Sequence, residues 1–174
     1  DTACPEPSVA RLSAIGNTVY VVGVRTVFRY HWDDAGDRLV FDRDWQYGYI
    51  GSSAQTYGWD MVLDGDNAWF MDNGRHRYRL RMVGAGVART PNRLIRVSMR
   101  DAADHQAIAI CGVPGGSVTN PPLVDLRRRI VVAYDSANRH LAAWQFARGT
   151  GMLHPLWHRR GFGCASHMLL YPDS

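Results

Sequence analysis

The chain of 174 residues is long enough for one ordinary domain, and its 46% apolar and 21% charged residues are a globular composition. No apolar run approaches the ~20 residues that span a membrane, and the first residues have neither the basic start nor the apolar core of a signal peptide. The net charge of +4 is modest, so the composition predicts neither a nucleic-acid partner nor a membrane span.

The choice of charged residues indicates ancestry and turn content. All 20 basic residues are Arg, and every acidic residue except Glu6 is Asp. Arg in place of Lys, together with plentiful Ala, Gly and Val, points to a GC-rich bacterial genome. Asp in place of Glu suits a turn-rich β protein, because Asp bonds to its own turn backbone.

Alternation of apolar and polar residues dominates the chain, and the helical period is almost absent. The first repeat unit spans 8–45, with strands predicted at 18–24, 27–32 and 38–45. Arg25 and Thr26 form a tight turn between the first two of these strands.

The second unit spans 58–111 and carries an insertion. Its strands are predicted at 58–64, 67–71, 92–99 and 105–111. The insertion, 75–91, is expected to be a loop at its C-terminal end, where Gly84, Gly86 and Pro91 lie. Arg75, Arg77 and Arg79 alternate along its start, so they are weak candidates for an anion site. A solvated loop or charged edge strand is the favoured explanation of that pattern.

The third unit, 118–157, has the clearest pattern. Four strands with short connections are predicted, and Asp135-Ser136-Ala137-Asn138 closes the central hairpin; the strands are Leu123–Leu126, Arg129–Tyr134, His140–Phe146 and Met152–Trp157. The segment 164–174 is predicted to start a fourth unit with one strand.

A short apolar strand, a Gly-containing turn and a strand that ends in Trp recur along the chain. His140–Trp157 carries this pattern in full, Thr26–Trp45 carries it in part, and Asn92–Cys111 has the strands without the final Trp. The pattern resembles the repeats of PQQ-like and YVTN-type bacterial β-propellers. The resemblance implies an all-β fold of about three four-stranded antiparallel blades plus one strand of a fourth. It places the whole chain, 1–174, in a single partial propeller domain.

Three blades and a fraction cannot close a propeller ring, which needs at least four. We therefore expect another protein chain, or the remaining part of the same propeller, to complete the ring. The expected function is binding of a ligand or partner. The alternative is a propeller enzyme, either a quinoprotein-like oxidoreductase or a metal-dependent lactonase or lyase, with its site at the mouth of the central channel. No motif in the sequence identifies a cofactor.

Candidate ligand-binding residues precede the innermost strand of each unit, where propeller channels open. Asp60, Asn120 and His167 each place a polar group ahead of an apolar strand, and Trp59 stands beside Asp60. If these groups converge on the axis, they could hold a cation or a polar ligand. The alternative, which we favour, is that they satisfy backbone donors in crowded loops.

The three cysteines, Cys4, Cys111 and Cys164, have no metal-binding spacing. A Cys4–Cys111 disulfide is possible in an oxidising compartment, and a periplasmic or secreted location is preferred to a cytoplasmic one.

The repeat pattern also predicts the burial of particular side chains. Trp45 and Trp157 are predicted to occupy equivalent, buried places in two blades. His140, His154 and His158 are expected at the surface.

Overall fold

The structure is a computed structural model, and all regular structure within its described residues is β. Fourteen strands form three four-stranded antiparallel sheets and one two-stranded hairpin, with no helix among them. The all-β prediction is therefore confirmed. The description covers residues 8–23, 25–49, 61–72, 76–78, 86–115, 121–163 and 168, with the side chains of 8–11, 76–78 and 86–88 left out.

The first sheet contains β1 (Ser8–Ile15), β2 (Thr18–Gly23), β3 (Thr26–Asp33) and β4 (Arg38–Gly48) in chain order. Each strand pairs with the next through a short connection, which is the pattern expected of consecutive antiparallel strands. The last strand continues three residues beyond its predicted end because β3 and β4 stay paired, across a bulge, as far as Gly48.

The second sheet has the order β5 (Val62–Leu63), β6 (Asn67–Asp72), β9 (Arg93–Ser98) and β10 (His105–Ala109). All residues of β6 are buried, and β9 is buried from Leu94 onward. Strands that are buried along their whole length are covered on both faces of their sheet. The second sheet is covered in this way because it lies between the other two.

The insertion between β6 and β9 contains a hairpin of β7 (His76–Tyr78) and β8 (Gly86–Ala88). The prediction of a loop at its C-terminal end was wrong for β8. Gly weakens a strand, so the composition favoured a loop, but pairing with β7 fixes Gly86 opposite Tyr78.

The third sheet runs β11 (Leu123–Asp125), β12 (Ile130–Asp135), β13 (His140–Phe146) and β14 (Leu153–Arg160), again in chain order. Its strands match the predicted unit closely, and β13 has the predicted bounds. The strand predicted in 164–174 lies outside the described residues.

The three sheets pack face to face in chain order. Between the first and second sheets, Trp45 Nε1 donates to the carbonyl oxygen of Ser98 at 2.9 Å, and the rings of Tyr47 and Phe70 lie 5.8 Å apart. Between the second and third, the rings of Trp69 and Phe146 lie 4.9 Å apart. These contacts belong to one continuous apolar core that crosses the middle sheet.

Antiparallel pairing gives the stack two distinct ends. We call the loop end the end of the stack where the second strand of each sheet finishes and the third strand begins. The residues there are Gly23 and Thr26 in the first sheet, Asp72 and Arg93 in the second, and Asp135 and His140 in the third. The fourth strands also finish there. We call the opposite end the turn end.

Trp45 is buried as predicted, with 1% of its surface exposed, but Trp157 is 39% exposed. The prediction of equivalent burial was wrong for Trp157. Trp157 pairs with Ala143, on the face of β13 opposite to the one that packs on the second sheet. No described sheet covers that face.

Candidate functional site

The residues predicted for the channel mouth are not among those that the structure describes. Trp59, Asp60, Asn120 and His167 all fall outside the described ranges. Their convergence, and the enzymatic alternative that depends on it, stay predictions.

The structure does not describe the side chains of the weak anion-site candidates either. Arg75 and Arg79 lie outside the described residues, and Arg77 is described only as backbone within β7.

A groove of about 580 Å³ opens between the outer strands of the second and third sheets. Ile108 and Ile110 form one wall, and Trp144 lies on the other. Towards the loop end the lining becomes polar, with His140, His158 and Arg160 among the lining residues. The groove combines an apolar body with a basic end, which is the character of a site for an extended or amphipathic ligand.

Asp135 lies at this polar end and holds several neighbouring groups by hydrogen bonds. Its carboxylate is fully buried and accepts the backbone N–H of Asn138 at 3.1 Å and the Asn138 side-chain amide at 2.8 Å. These bonds close the β12–β13 turn. The same Asn138 amide donates to the carbonyl oxygen of Pro114 at 3.0 Å, which ties the turn to the segment that follows the second sheet.

Cys111 is a free thiol whose Sγ lies 3.4 Å from an oxygen of Asp135, and Cys4, its possible disulfide partner, lies outside the described residues. Burial, with a further contribution from the Asp135 carboxylate, raises the pKa of the Cys111 thiol. The thiol is therefore protonated at neutral pH and donates to Asp135. A thiol held in this form is a poor nucleophile, because the thiolate is the reactive species.

His140 is only 7% exposed, so the expectation that it lies at the surface was wrong. Arg160 Nε lies 3.4 Å from its Nε2, and the ring of His158 lies 6.0 Å away. Burial, followed by the positive charges of Arg160 and His158, lowers the pKa of His140 despite the opposing charge of Asp135. His140 is thus a neutral imidazole at neutral pH, with Nε2 placed to accept from Arg160.

The buried His140 predicts a loss of stability in mild acid. Its pKa lies below 6.5 in the folded protein, so the unfolded chain binds a proton first as the pH falls through 6.5. The free energy of unfolding should therefore fall from about pH 7.5 to about pH 5.5, and the fall should be smaller in His140→Gln. Urea titrations followed by circular dichroism at both pH values measure this. Identical pH dependence of the two proteins would contradict the assignment.

A second network stiffens the first sheet and was not anticipated from the sequence. Asp42 accepts from Arg29 Nη2 at 2.6 Å and lies 3.0 Å from His31 Nε2. Burial tends to raise the pKa of Asp42, but the hydrogen bonds from Arg29, His31 and the Asp44 backbone outweigh it and lower the pKa. Arg29 also donates to the carbonyl oxygen of Met99, so the network joins the first and second sheets.

Opposite charges line a second cavity, of about 470 Å³, at the turn end between the second and third sheets. Asp64 and Asp66 lie on one side, and Arg127, Arg129 and Arg148 lie on the other. Asp64 is occupied by its own turn, accepting from the backbone N–H of Asp66 and, at 2.8 Å, from Trp69 Nε1. The mixed lining favours electrostatic attraction between the two sheets over selection of an ion.

The described part of the chain contains no group of three or more His, Cys, Asp or Glu side chains arranged to hold a metal ion. It also contains no helix long and apolar enough to cross a bilayer. Neither a family model nor a curated protein sequence matches the chain.

Proposed function

We propose that the three sheets are consecutive blades of a β-propeller, and that the chain works by binding a ligand or partner. Further blades, from another chain or from further sequence, complete the ring. The observation that carries this proposal is that the two outermost sheets are apolar on both faces. An antiparallel sheet with one solvent face normally alternates apolar and polar residues instead.

The outer face of the first sheet is built from cross-strand apolar pairs. Val19 lies opposite Tyr30, which in turn lies opposite Phe41, and Trp32 lies opposite Leu39. Alternation places this set on the face opposite to Tyr20, which belongs to the core shared with the second sheet. Trp32 remains 39% exposed.

The outer face of the third sheet has the same character. Val132 lies opposite Ala143, Tyr134 lies opposite Leu141, and Trp157 continues the row from Ala143. A stack of sheets that ends in two apolar faces is suited to a further sheet on each side, as each blade of a propeller has.

The face-to-face order and the strand connections support the same proposal. Each sheet follows the chain from its first to its fourth strand, and the innermost strands approach one another where Ser13 Oγ donates to the carbonyl oxygen of Met61 at 3.1 Å. Ligand binding is favoured over catalysis because the polar side chains of the groove are hydrogen-bonded to one another, as His140 is to Arg160 and Cys111 is to Asp135.

The test is the state of association of the full chain. We expect multi-angle light scattering to show species larger than the 19.5 kDa monomer, because isolated apolar faces associate. Val21, two residues beyond Val19 on the same strand face, and Val132 represent the two outer faces. Val21→Glu and Val132→Glu should each weaken association at least ~10-fold, since an unpaired charge is costly to bury. Ala103→Glu, in an exposed turn, is the matched control. A stable monomer throughout the micromolar range would refute the proposal.

A further inference from the structure

The outer strands of the three sheets differ in how their free edges are protected. β4 carries Arg38, Asp42 and Arg43, and β14 carries Pro155 and two arginines. These are the residues with which proteins block unwanted strand pairing at a sheet edge. β10, His-Gln-Ala-Ile-Ala, has neither Pro nor any Arg or Asp. Among the described strands only β9 pairs with it.

Register shows which backbone groups of β10 are open. Ile110 N–H donates to the carbonyl oxygen of Asn92 at 3.0 Å, so every second residue back from Ile110 bonds inward to β9. The alternate residues, His105, Ala107 and Ala109, direct their N–H and C=O groups to the free edge. These three residues are exposed.

One row of β10 side chains faces the groove beside this free edge. Gln106 Oε1 accepts the backbone N–H of Leu153 at 3.0 Å, which places the Gln106 side of β10 towards the third sheet. Ile108 and Ile110 share that side and line the groove opposite Trp144. A strand added to β10 would therefore direct alternate side chains over an apolar floor.

The charge of the third sheet, which forms the wall of the groove opposite β10, favours a peptide with an acidic residue. Residues 121–163 contain seven Arg against two Asp, a net charge of +5 with histidines neutral, which exceeds the +4 of the whole chain. Arg160 brings part of this charge into the groove. The two aspartates do not offset this charge at the groove surface, because Asp125 binds Arg128 and Asp135 is fully buried.

We propose that the groove between the second and third sheets binds an extended peptide that pairs with the free edge of β10 and carries apolar residues, followed by an acidic residue, on its groove-facing side. Main-chain hydrogen bonds to Ala107 and Ala109 supply affinity, as in other cases of strand addition. Its groove-facing apolar side chains cover Ile108 and Ile110, and an acidic side chain at the end of the same face approaches Arg160. The site does not depend on ring closure, since both of its walls belong to this chain.

The test is fluorescence anisotropy of the full chain with a labelled, end-blocked eight-residue peptide, Asp-Thr-Leu-Thr-Leu-Thr-Asp-Thr, whose Leu and Asp side chains share one face of the strand. Ala107→Pro removes one free-edge N–H and leaves the β9 ladder intact, because Pro is tolerated on an outward-facing edge position. It should weaken binding about 10-fold, the value of one to two hydrogen bonds. Ala107→Val keeps the N–H and should bind within about 2-fold of wild type.

Charge and peptide variants complete the design. Arg160→Gln should weaken binding and reduce its salt dependence, whereas Arg148→Gln, at the turn end, should not. Two peptides, each N-methylated at one of the two sets of alternate residues, test pairing without any change to the protein, and the one whose methyl groups face β10 should bind at least ~10-fold more weakly. The proposal is overturned if wild type does not bind the peptide, if Ala107→Pro binds it unchanged, if both methylated peptides bind unchanged, or if the same peptide with Lys in place of Asp binds equally tightly.

Discussion

Trp45→Ala should lower the free energy of unfolding by about 3–5 kcal/mol, among the largest effects of any single truncation in this chain. The indole is 1% exposed, packs edge-on against Tyr20 at 5.0 Å and has the Arg29 guanidinium 5.2 Å from its ring. Its removal leaves a cavity between the first and second sheets. It also removes the donor to the Ser98 carbonyl, which is then left without this bond. Urea denaturation followed by circular dichroism, at protein concentrations where the chain is monomeric, measures the loss.

Two further variants separate the contributions. Trp45→Phe keeps most of the apolar volume and removes the Nε1–H, so it should cost about 1–3 kcal/mol. Trp157→Ala, at the position that the repeat pattern treats as equivalent, should cost about 1 kcal/mol or less because that side chain is 39% exposed. Equal losses for Trp45→Ala and Trp157→Ala would show that the two positions are equivalent in packing after all.

The strands were predictable because their signal is local. β12 carries Ile, Val and Ala, β13 carries Leu, Ala and Trp, and the turn Asp-Ser-Ala-Asn separates them. Both strands are found where the sequence pattern places them. A turn of this composition bonds to its own backbone, so it needs no distant partner to form. The arrangement of the sheets as propeller blades remains a prediction, since it depends on what covers their outer faces.

The burial of single residues was less predictable, because it depends on contacts between sheets. His140 follows a polar turn, which favours exposure, yet its surroundings come from Arg160 and Cys111, both more than a strand away in sequence. Trp157 ends an apolar strand, which favours burial, yet no described sheet lies against it. An Asp at the end of the apolar strand Ile130–Asp135 was the one local sign that a buried polar cluster begins there.

Gly151→Ala should destabilise the protein by about 2–5 kcal/mol, since left-handed backbone and overpacking each add to the loss. Gly151 has φ of +64°, and an added Cβ would lie 2.6 Å from Arg96 Cδ and 2.8 Å from Asn67 Oδ1. Neither neighbour can move aside easily, because Arg96 is 4% exposed and its guanidinium is held by Asn67 at 3.2 Å and Asp104 at 2.5 Å.

The same turn supplies the control for this prediction. Gly149 also has positive φ, of +77°, but nothing lies within 4 Å of an added Cβ, so Gly149→Ala should cost only the backbone strain of about 1–2 kcal/mol. The difference between the two variants, measured by urea titration, isolates the close approach of the β13–β14 turn to the second sheet. If Gly151→Ala costs no more than Gly149→Ala, that approach does not constrain the turn, and the Gly-Thr-Gly segment serves only to reverse the chain.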